Sequence, residues 1–513
     1  MNIQRNNNKR IAKNTLFLYF RMLFTMGIGL YTSRVILNTL GVEDFGIYNV
    51  VGGVVTMFSF LNSAMAIATQ RFFNFEMGVG NLKGLQEIFC ISVNIHAGIS
   101  IIILLLAETV GLWFFYTYMT IPLERLDAAV WVYQFAVLSA IILIMSAPYN
   151  AAIIAHEKMG AFAYISILEV ILKLIVVYIL VAFKYDKLKL YAILMFNIQF
   201  LMRLIYGIYC KRNFQETTYH WHWNKKKVKE MVTFASWSLF GDIAYVTYTQ
   251  GINILLNIFF TPVVNAARGI SVQVQSAIKG FCLNFQMALN PQIIKSYATK
   301  DLEYMHMLIF RSSKFSFFLL LFLSLPIFIE TEAILIWWLS VVPEHTTEFV
   351  RIILCTTVLE SIANPLVASA QATGKIKKYQ SIIGGTMLLI VPISYVALKM
   401  GAVPEIVFII HFIVSVIAQI IRIMLMRSLI SFTVKEYMEN VLLPLAKVSL
   451  LSIVIPAIAS FYVPQNMVGF MIICIICFIS VGGIVYKVGL KKTERVFCEK
   501  HVAFFFHKLT NKK

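Results

Sequence analysis

Four polar side chains recur on one apolar stretch of this chain: Arg268, Gln275, Lys279 and Gln286, at separations of 7, 11 and 18 residues. On an α-helix those separations bring them within about 20° of one another, in a stripe about 27 Å long. A cation at mid-bilayer depth costs about 2.5–3.5 kcal/mol, so a stripe with two of them should face water or a partner rather than lipid. The chemistry it offers is electrostatic docking of an anion. The apolar stretch before it carries Ser238, Asp242, Thr249 and Asn253 on one face, where Asp242 is either the partner of a buried cation such as Arg268 or Lys279, or a proton or ion site. Earlier, Asn49, Thr56, Ser63 and Gln70 recur every seven residues beside Gly52 and Gly53, with Arg71 following. Small and polar residues in that pattern serve close helix packing or cavity lining equally well. Arg34 closes the first apolar stretch, and Glu169 and Lys173, four apart, are placed to pair within a helix.

The elements that must position these residues are membrane helices. The chain is 59% hydrophobic and 13% charged, with a mean hydropathy of +0.78, far from the composition of soluble domains. Fourteen apolar runs are long enough to cross a bilayer: about 14–38, 46–70, 88–112, 128–154, 162–184, 188–210, 230–260, 263–290, 311–336, 348–372, 379–399, 402–426, 443–461 and 467–487. None alternates in polarity as a barrel strand would, so the expected fold is an all-α polytopic membrane protein. With the N-terminus inside, 30 of the 44 Lys and Arg fall in inner segments or at the inner ends of spans, and the outer loops with the outer span ends hold only Arg125, Lys184, Lys187, Lys189 and Lys399. That asymmetry places both termini in the cytoplasm. It also explains the net charge of +19 by topology and anionic headgroups rather than by nucleic acid. The polar, basic start leads into a run too long for a cleavable signal, so the first helix is expected to stay.

Several chemistries lack their residues. There is no phosphate-binding G-x-x-x-x-G-K-[ST] loop and no H-E-x-x-H pair, and the longest outer loop, 113–127, is too short for a catalytic domain. His220 and His222 between tryptophans, and Cys474 and Cys477 in an apolar run, read as interfacial and packed side chains. No catalytic residue, metal ligand or cofactor is assigned, and the chain is not expected to be an enzyme.

An offset of 219 places Leu37-Asn38 on Leu256-Asn257 and Asn49 on Arg268. An offset of 217 places Pro148 on Pro365, Ala151 on Ala368, Ala155 on Ala372 and Lys158 on Lys375. The chain therefore reads as two six-helix bundles, 1–222 and 223–430, followed by two extra helices and a basic tail, 431–513. Six spans per repeat give both halves one orientation, a transporter-like plan with the substrate path between them. Nine cations fall within the expected spans (Arg21, Arg34, Lys173, Arg203, Arg268, Lys279, Arg351, Arg422 and Lys447) against four clear acids, Glu108, Glu169, Asp242 and Glu360. Such an interior suits an anionic cargo.

The segment SRVILNTLGVEDFGIYNVV, the AARGISVQVQSA start of the eighth span, NPQIIKSYA after it, and the proline-containing spans followed by HEK and TGK resemble the polysaccharide-transport flippases of the multidrug/oligosaccharidyl-lipid/polysaccharide exporter superfamily. The resemblance covers the first twelve spans. It implies a V-shaped, MATE-like transporter that flips undecaprenyl-pyrophosphate-linked oligosaccharide, such as an O-antigen or capsule unit, across the bacterial inner membrane. The implied partners are that lipid, the bilayer and polysaccharide polymerase machinery. It also implies a basic central cavity, a role carried to Arg34 and Arg268; Lys279 and Gln275 join them on the helical-face argument, with Asn49, Thr56, Asp242 and Asn253 as cavity-lining or coupling residues. Coupling to protons, sodium or the membrane potential stays open. The rival readings are a multidrug exporter of the same superfamily, which would want acids in its cavity, and an integral-membrane polysaccharide polymerase or ligase, which would want a large outer loop.

Overall fold

The computed structural model describes residues 2–495 apart from 57–58, 120, 184–185, 261, 340–341, 464–466 and 493. For some further residues only the backbone belongs to the described set; the side chains of Asn49 and Thr56 are among those outside it. The described residues form α-helices and no strand. In chain order the helices are α1 (Asn2–Thr56), α2 (Ser59–Val79), α3 (Leu82–Leu106), α4 (Leu112–Tyr118), α5 (Leu126–Ala155), α6 (Met159–Ala182), α7 (Lys187–Asn213), α8 (Lys225–Phe259), α9 (Pro262–Ala298), α10 (Leu302–Ile329), α11 (Thr331–Leu339), α12 (Thr346–Glu360), α13 (Ala363–Thr373), α14 (Ile376–Leu388), α15 (Ile390–Lys399), α16 (Ile406–Ile430), α17 (Val434–Tyr437), α18 (Leu443–Tyr462) and α19 (Met467–Ile484).

Eleven helical stretches of the described chain are long and apolar enough to cross a membrane. α8 and α9 cover the spans expected at 230–260 and 263–290, where polar stripes hold the mean hydropathy below that of the other eleven, and the span expected at 46–70 is helical over its described residues, 46–56 and 59–70. The chain is thus an all-α, multi-pass membrane protein of about fourteen spans. Large apolar side chains such as Ile101, Leu105, Ile175, Ile455 and Ile479 are exposed on it, as a hydrocarbon solvent requires.

The breaks have local causes. Gly41, at φ 80°, interrupts α1 in the left-handed region that a residue without Cβ enters freely. The break is one residue wide, with helix resuming through Glu43 and Asp44. α12 and α13 part at Ser361–Ile362, four residues ahead of Pro365, and α14 and α15 part at Leu389, ahead of Pro392. In both places the proline removes a donor and crowds the carbonyl one turn back.

The chain divides into two compact units. The first comprises Met1–Ile243, Met287–Leu302 and Gln371–Ser381. Its core is packed by α2, α3, α5 and α7, where Phe73 meets Phe89 edge-on at 6.4 Å and Phe89 meets Tyr149 at 5.2 Å. At one end Arg125 bridges two carboxylates, donating from Nε to Asp44 at 2.8 Å and from Nη1 to Asp186 at 3.1 Å. It ties the residues after Gly41 to the α6–α7 turn. The second unit comprises Ala244–Gln286, Glu303–Ala370 and Ile382–Lys513. Its apolar packing joins α8, α12, α15 and α16 through Leu256, Phe349, Ile390, Phe408 and Ala418.

Candidate functional site: the polar face of α9

Within the second unit, every member of the α9 stripe finds a partner on a neighbouring helix. Arg268 donates from Nη2 to the Thr249 carbonyl of α8 at 2.6 Å. Gln275 donates to Thr357 Oγ1 of α12 at 2.9 Å. Lys279 Nζ stands 3.8 Å from Glu360 Oε2, at the end of α12, and 5.7 Å from the Tyr245 ring centroid. Gln286 donates to Ser316 Oγ and to the Ser361 carbonyl, both at 2.9 Å, and accepts from Asn364 at 2.8 Å. Ser361 is four residues before Pro365, so its carbonyl loses the usual helical donor, and Gln286 supplies the replacement.

Around Lys279 the structure assembles a group that sequence periodicity on α9 alone does not reveal. Glu360 Oε1 lies 3.3 Å from His411 Nε2 and accepts from Ser415 Oγ at 3.3 Å. The His411 ring in turn lies 5.2 Å from that of Tyr248. One signal could have found this face: His411, Ser415, Gln419 and Arg422 recur at separations of four, four and three along α16, which is one helical stripe.

Arg268 also lines an open cavity of about 690 Å³ with Asn253, Asn257 and Asn265, the remainder of the wall being Ile254, Ile258, Ala266, Gly269 and Val272. Among the described residues no carboxylate lines it. Of the five N–H donors of a guanidinium, the Thr249 carbonyl takes one, and the buried Nε has no partner among the described residues. The buried Asn265 Oδ1 is likewise unpartnered there. Such a wall, with one fixed cation, several amides and apolar sides, can accept an anion and hydrogen-bond hydroxyl groups.

The other sequence-selected residues are placed as follows. Asp242 forms no ion pair among the described residues, and its buried Oδ2 has no hydrogen-bond partner; the carboxylate facing Lys279 is Glu360 instead. Arg34 is exposed and pairs with no described residue. Asn49 and Thr56 lie outside the described side chains. Glu169 and Lys173 form their expected pair at 2.6 Å. Several embedded cations have a ring face or a carbonyl among their partners: Arg203 lies 3.8 Å from the Tyr149 ring centroid, Arg21 lies 4.8 Å from that of Phe162, and Arg351 donates to the Phe328 carbonyl at 3.3 Å. The excess of cations over acids is therefore larger than the positive charge presented to a ligand.

No protein-family model matches the chain, and no curated protein does. Solved structures do. The Vibrio cholerae MATE transporter VcmN in its bent form superposes with a TM-score of 0.71 at 16% identity, covering 86% of this chain and 100% of that one. An outward-facing multidrug resistance MATE family transporter of the MOP superfamily gives 0.70 at 14% identity over 83% of this chain and 96% of that one. A MOP superfamily transporter from Pyrococcus furiosus, described as having a binding pocket of reverse polarity, gives 0.68 at 14% identity over 82% and 96%. At these identities the likeness establishes the fold: the chain has the MATE-like architecture of MOP superfamily transporters.

Proposed function

We propose that this protein is a flippase that moves undecaprenyl-pyrophosphate-linked oligosaccharide from the inner to the outer leaflet of the bacterial cytoplasmic membrane by alternating access. In this reading 1–222 and 223–430 are its two transport bundles, both termini are cytoplasmic, and polysaccharide polymerase machinery takes up the product. The observation that carries it is the Arg268 cavity, whose wall joins a cation with unused donors to three asparagines and, among the described residues, no acid. The pyrophosphate docks on Arg268 and exchanges with Glu360 for Lys279, Gln275 and Asn253 lie along the same path, and the sugars occupy hydrated space while the polyprenyl tail stays in lipid. Arg34 is assigned as a further cation for the cargo, and Asn49, Thr56 and Asp242 as cavity-lining or coupling residues, with Asp242 as the coupling candidate. Outward movement of the pyrophosphate against an inside-negative potential releases about 2.3 kcal/mol per charge per 100 mV if the whole field is crossed.

The fold serves a multidrug exporter equally well, and wall polarity is what favours the anionic cargo over a cationic drug. The test is complementation of a cell lacking its own O-antigen flippase, scored by surface polysaccharide and by inner-leaflet accumulation of the lipid-linked unit. Restored glycan that is lost again in Arg268→Ala supports the reading. Drug resistance without restored glycan would replace it with the exporter.

A further inference from the structure

Two helix-ending turns 217 residues apart, Ala155-His156-Glu157-Lys158 and Ala372-Thr373-Gly374-Lys375, share more than their letters. In each the third residue has positive φ, 57° at Glu157 and 73° at Gly374. In each a cation caps the carbonyl at the equivalent alanine: Lys295 Nζ donates to Ala155 O at 2.6 Å, and Arg71 Nη2 donates to Ala372 O at 3.2 Å, with Arg71 Nε on Gln371 O at 3.2 Å. Both positions are helix C-termini, where free carbonyls and the dipole favour a cation.

The caps are exchanged between the sequence repeats. Lys295 comes from α9, in the second repeat, and caps a turn of the first; Arg71 comes from α2, in the first, and caps a turn of the second. All four pieces lie in the first compact unit. The first cap carries an added lock. The Glu157 carboxylate is fully buried and receives Lys295 Nζ at 2.7 Å, Gln292 Nε2 at 2.7 and 2.8 Å, and Arg10 Nε at 2.7 Å. Asn14 donates to the Glu157 carbonyl at 3.0 Å. A Cβ on Gly78 of α2 would stand 2.7 Å from Ala298 Cβ and 3.0 Å from Lys295 Cα, so the two cap-bearing helices meet backbone to backbone.

We propose that these reciprocal caps are a releasable clasp between the two repeats, which closes this basic end of the helices and opens to admit cargo. The proposal rests on the transport reading above. Its bonds suit repeated opening, since ion pairs and cation-to-carbonyl bonds exchange with water and re-form. A non-glycine residue in the left-handed region, as at Glu157, persists where surrounding contacts over-determine it.

The test is amide hydrogen exchange on the full-length protein in lipid nanodiscs, with no cargo present. Glu157→Gln and Arg71→Gln each remove contacts at one turn only. A clasp that opens as a unit predicts that either substitution raises exchange at both 155–158 and 371–375 by at least about tenfold, equivalent to about 1.4 kcal/mol. Gly78→Leu, which leaves every charged group in place, should do the same by wedging α2 from α9. A rise confined to the turn that lost its partner, or no rise at either turn in Gly78→Leu, would overturn the clasp and show two static caps. Because no substrate enters the assay, that outcome is distinct from failure of the flippase reading.

Discussion

Replacing Glu360 by glutamine tests whether Lys279 is held in reserve for an anion. At 3.8 Å, two unit charges attract by about 4 kcal/mol in an environment of effective dielectric near 20. Both side chains are mostly buried, at 30% and 16% exposed, so that attraction is only partly screened. An incoming pyrophosphate must replace it to gain Lys279. Glutamine keeps the shape and leaves a neutral contact of about 1 kcal/mol. The competing interaction then weakens by about 1.5–3 kcal/mol, or about 10- to 150-fold in affinity. Inorganic pyrophosphate binding to the purified full-length protein in nanodiscs, followed by calorimetry, should therefore tighten in Glu360→Gln and weaken in Lys279→Met. Thermal stability of Glu360→Gln should fall at the same time, because Lys279 loses its counter-ion. Unchanged or weaker pyrophosphate binding in a folded Glu360→Gln protein, or wild-type binding in Lys279→Met, would refute the competition.

Two further perturbations probe the scaffold. Gln286→Leu orphans the Ser361 carbonyl, the Asn364 amide and the Ser316 hydroxyl together, and should cost about 2–4 kcal/mol of stability. Adding Pro365→Ala restores a backbone donor for Ser361, so the double variant should be more stable than the sum of the two single effects by about 1 kcal/mol, measured as a double-mutant cycle. Outside the spans, Glu216 is buried beside His156, which hydrogen-bonds its carboxylate and stacks on Phe214 at 3.9 Å. Burial pushes the Glu216 carboxyl up, but the bonds from His156 and its own backbone outweigh that and hold it below its ordinary 4.5. A carboxyl lowered on folding contributes stability above its unfolded value and loses it as pH falls through the lowered one. The melting temperature should therefore drop on acidification below about pH 4.5, and Glu216→Gln should flatten that part of the profile.

The spans and the α9 stripe were legible because lipid enforces both: a helix must be apolar for its full length, and the exceptions must share a face. The same exceptions hid α8 and α9 from a count by hydropathy alone. The partner of Lys279 was not legible. Glu360 is 81 residues away, and the rotation of α12 against α9 follows from packing that periodicity does not encode. Asp242 looked the better candidate because its helix is adjacent in sequence. Arg71 and Arg268 illustrate a second limit, since both bind main-chain carbonyls, which carry no sequence signature. The aromatic rings beside Arg21 and Arg203 illustrate a third: counting charges registers the cation and overlooks the π-face against it.

Flipping in proteoliposomes tests the central claim most directly. The purified protein would be reconstituted with an undecaprenyl-pyrophosphate-linked oligosaccharide, and its arrival in the outer leaflet scored by an added glycan-trimming enzyme. The account predicts protein-dependent exposure of the sugar that is abolished in Arg268→Ala and unaffected by excess lipophilic cation. Sugar exposure that persists in Arg268→Ala, or vesicles that transport a cationic drug and leave the lipid-linked sugar inside, would contradict it.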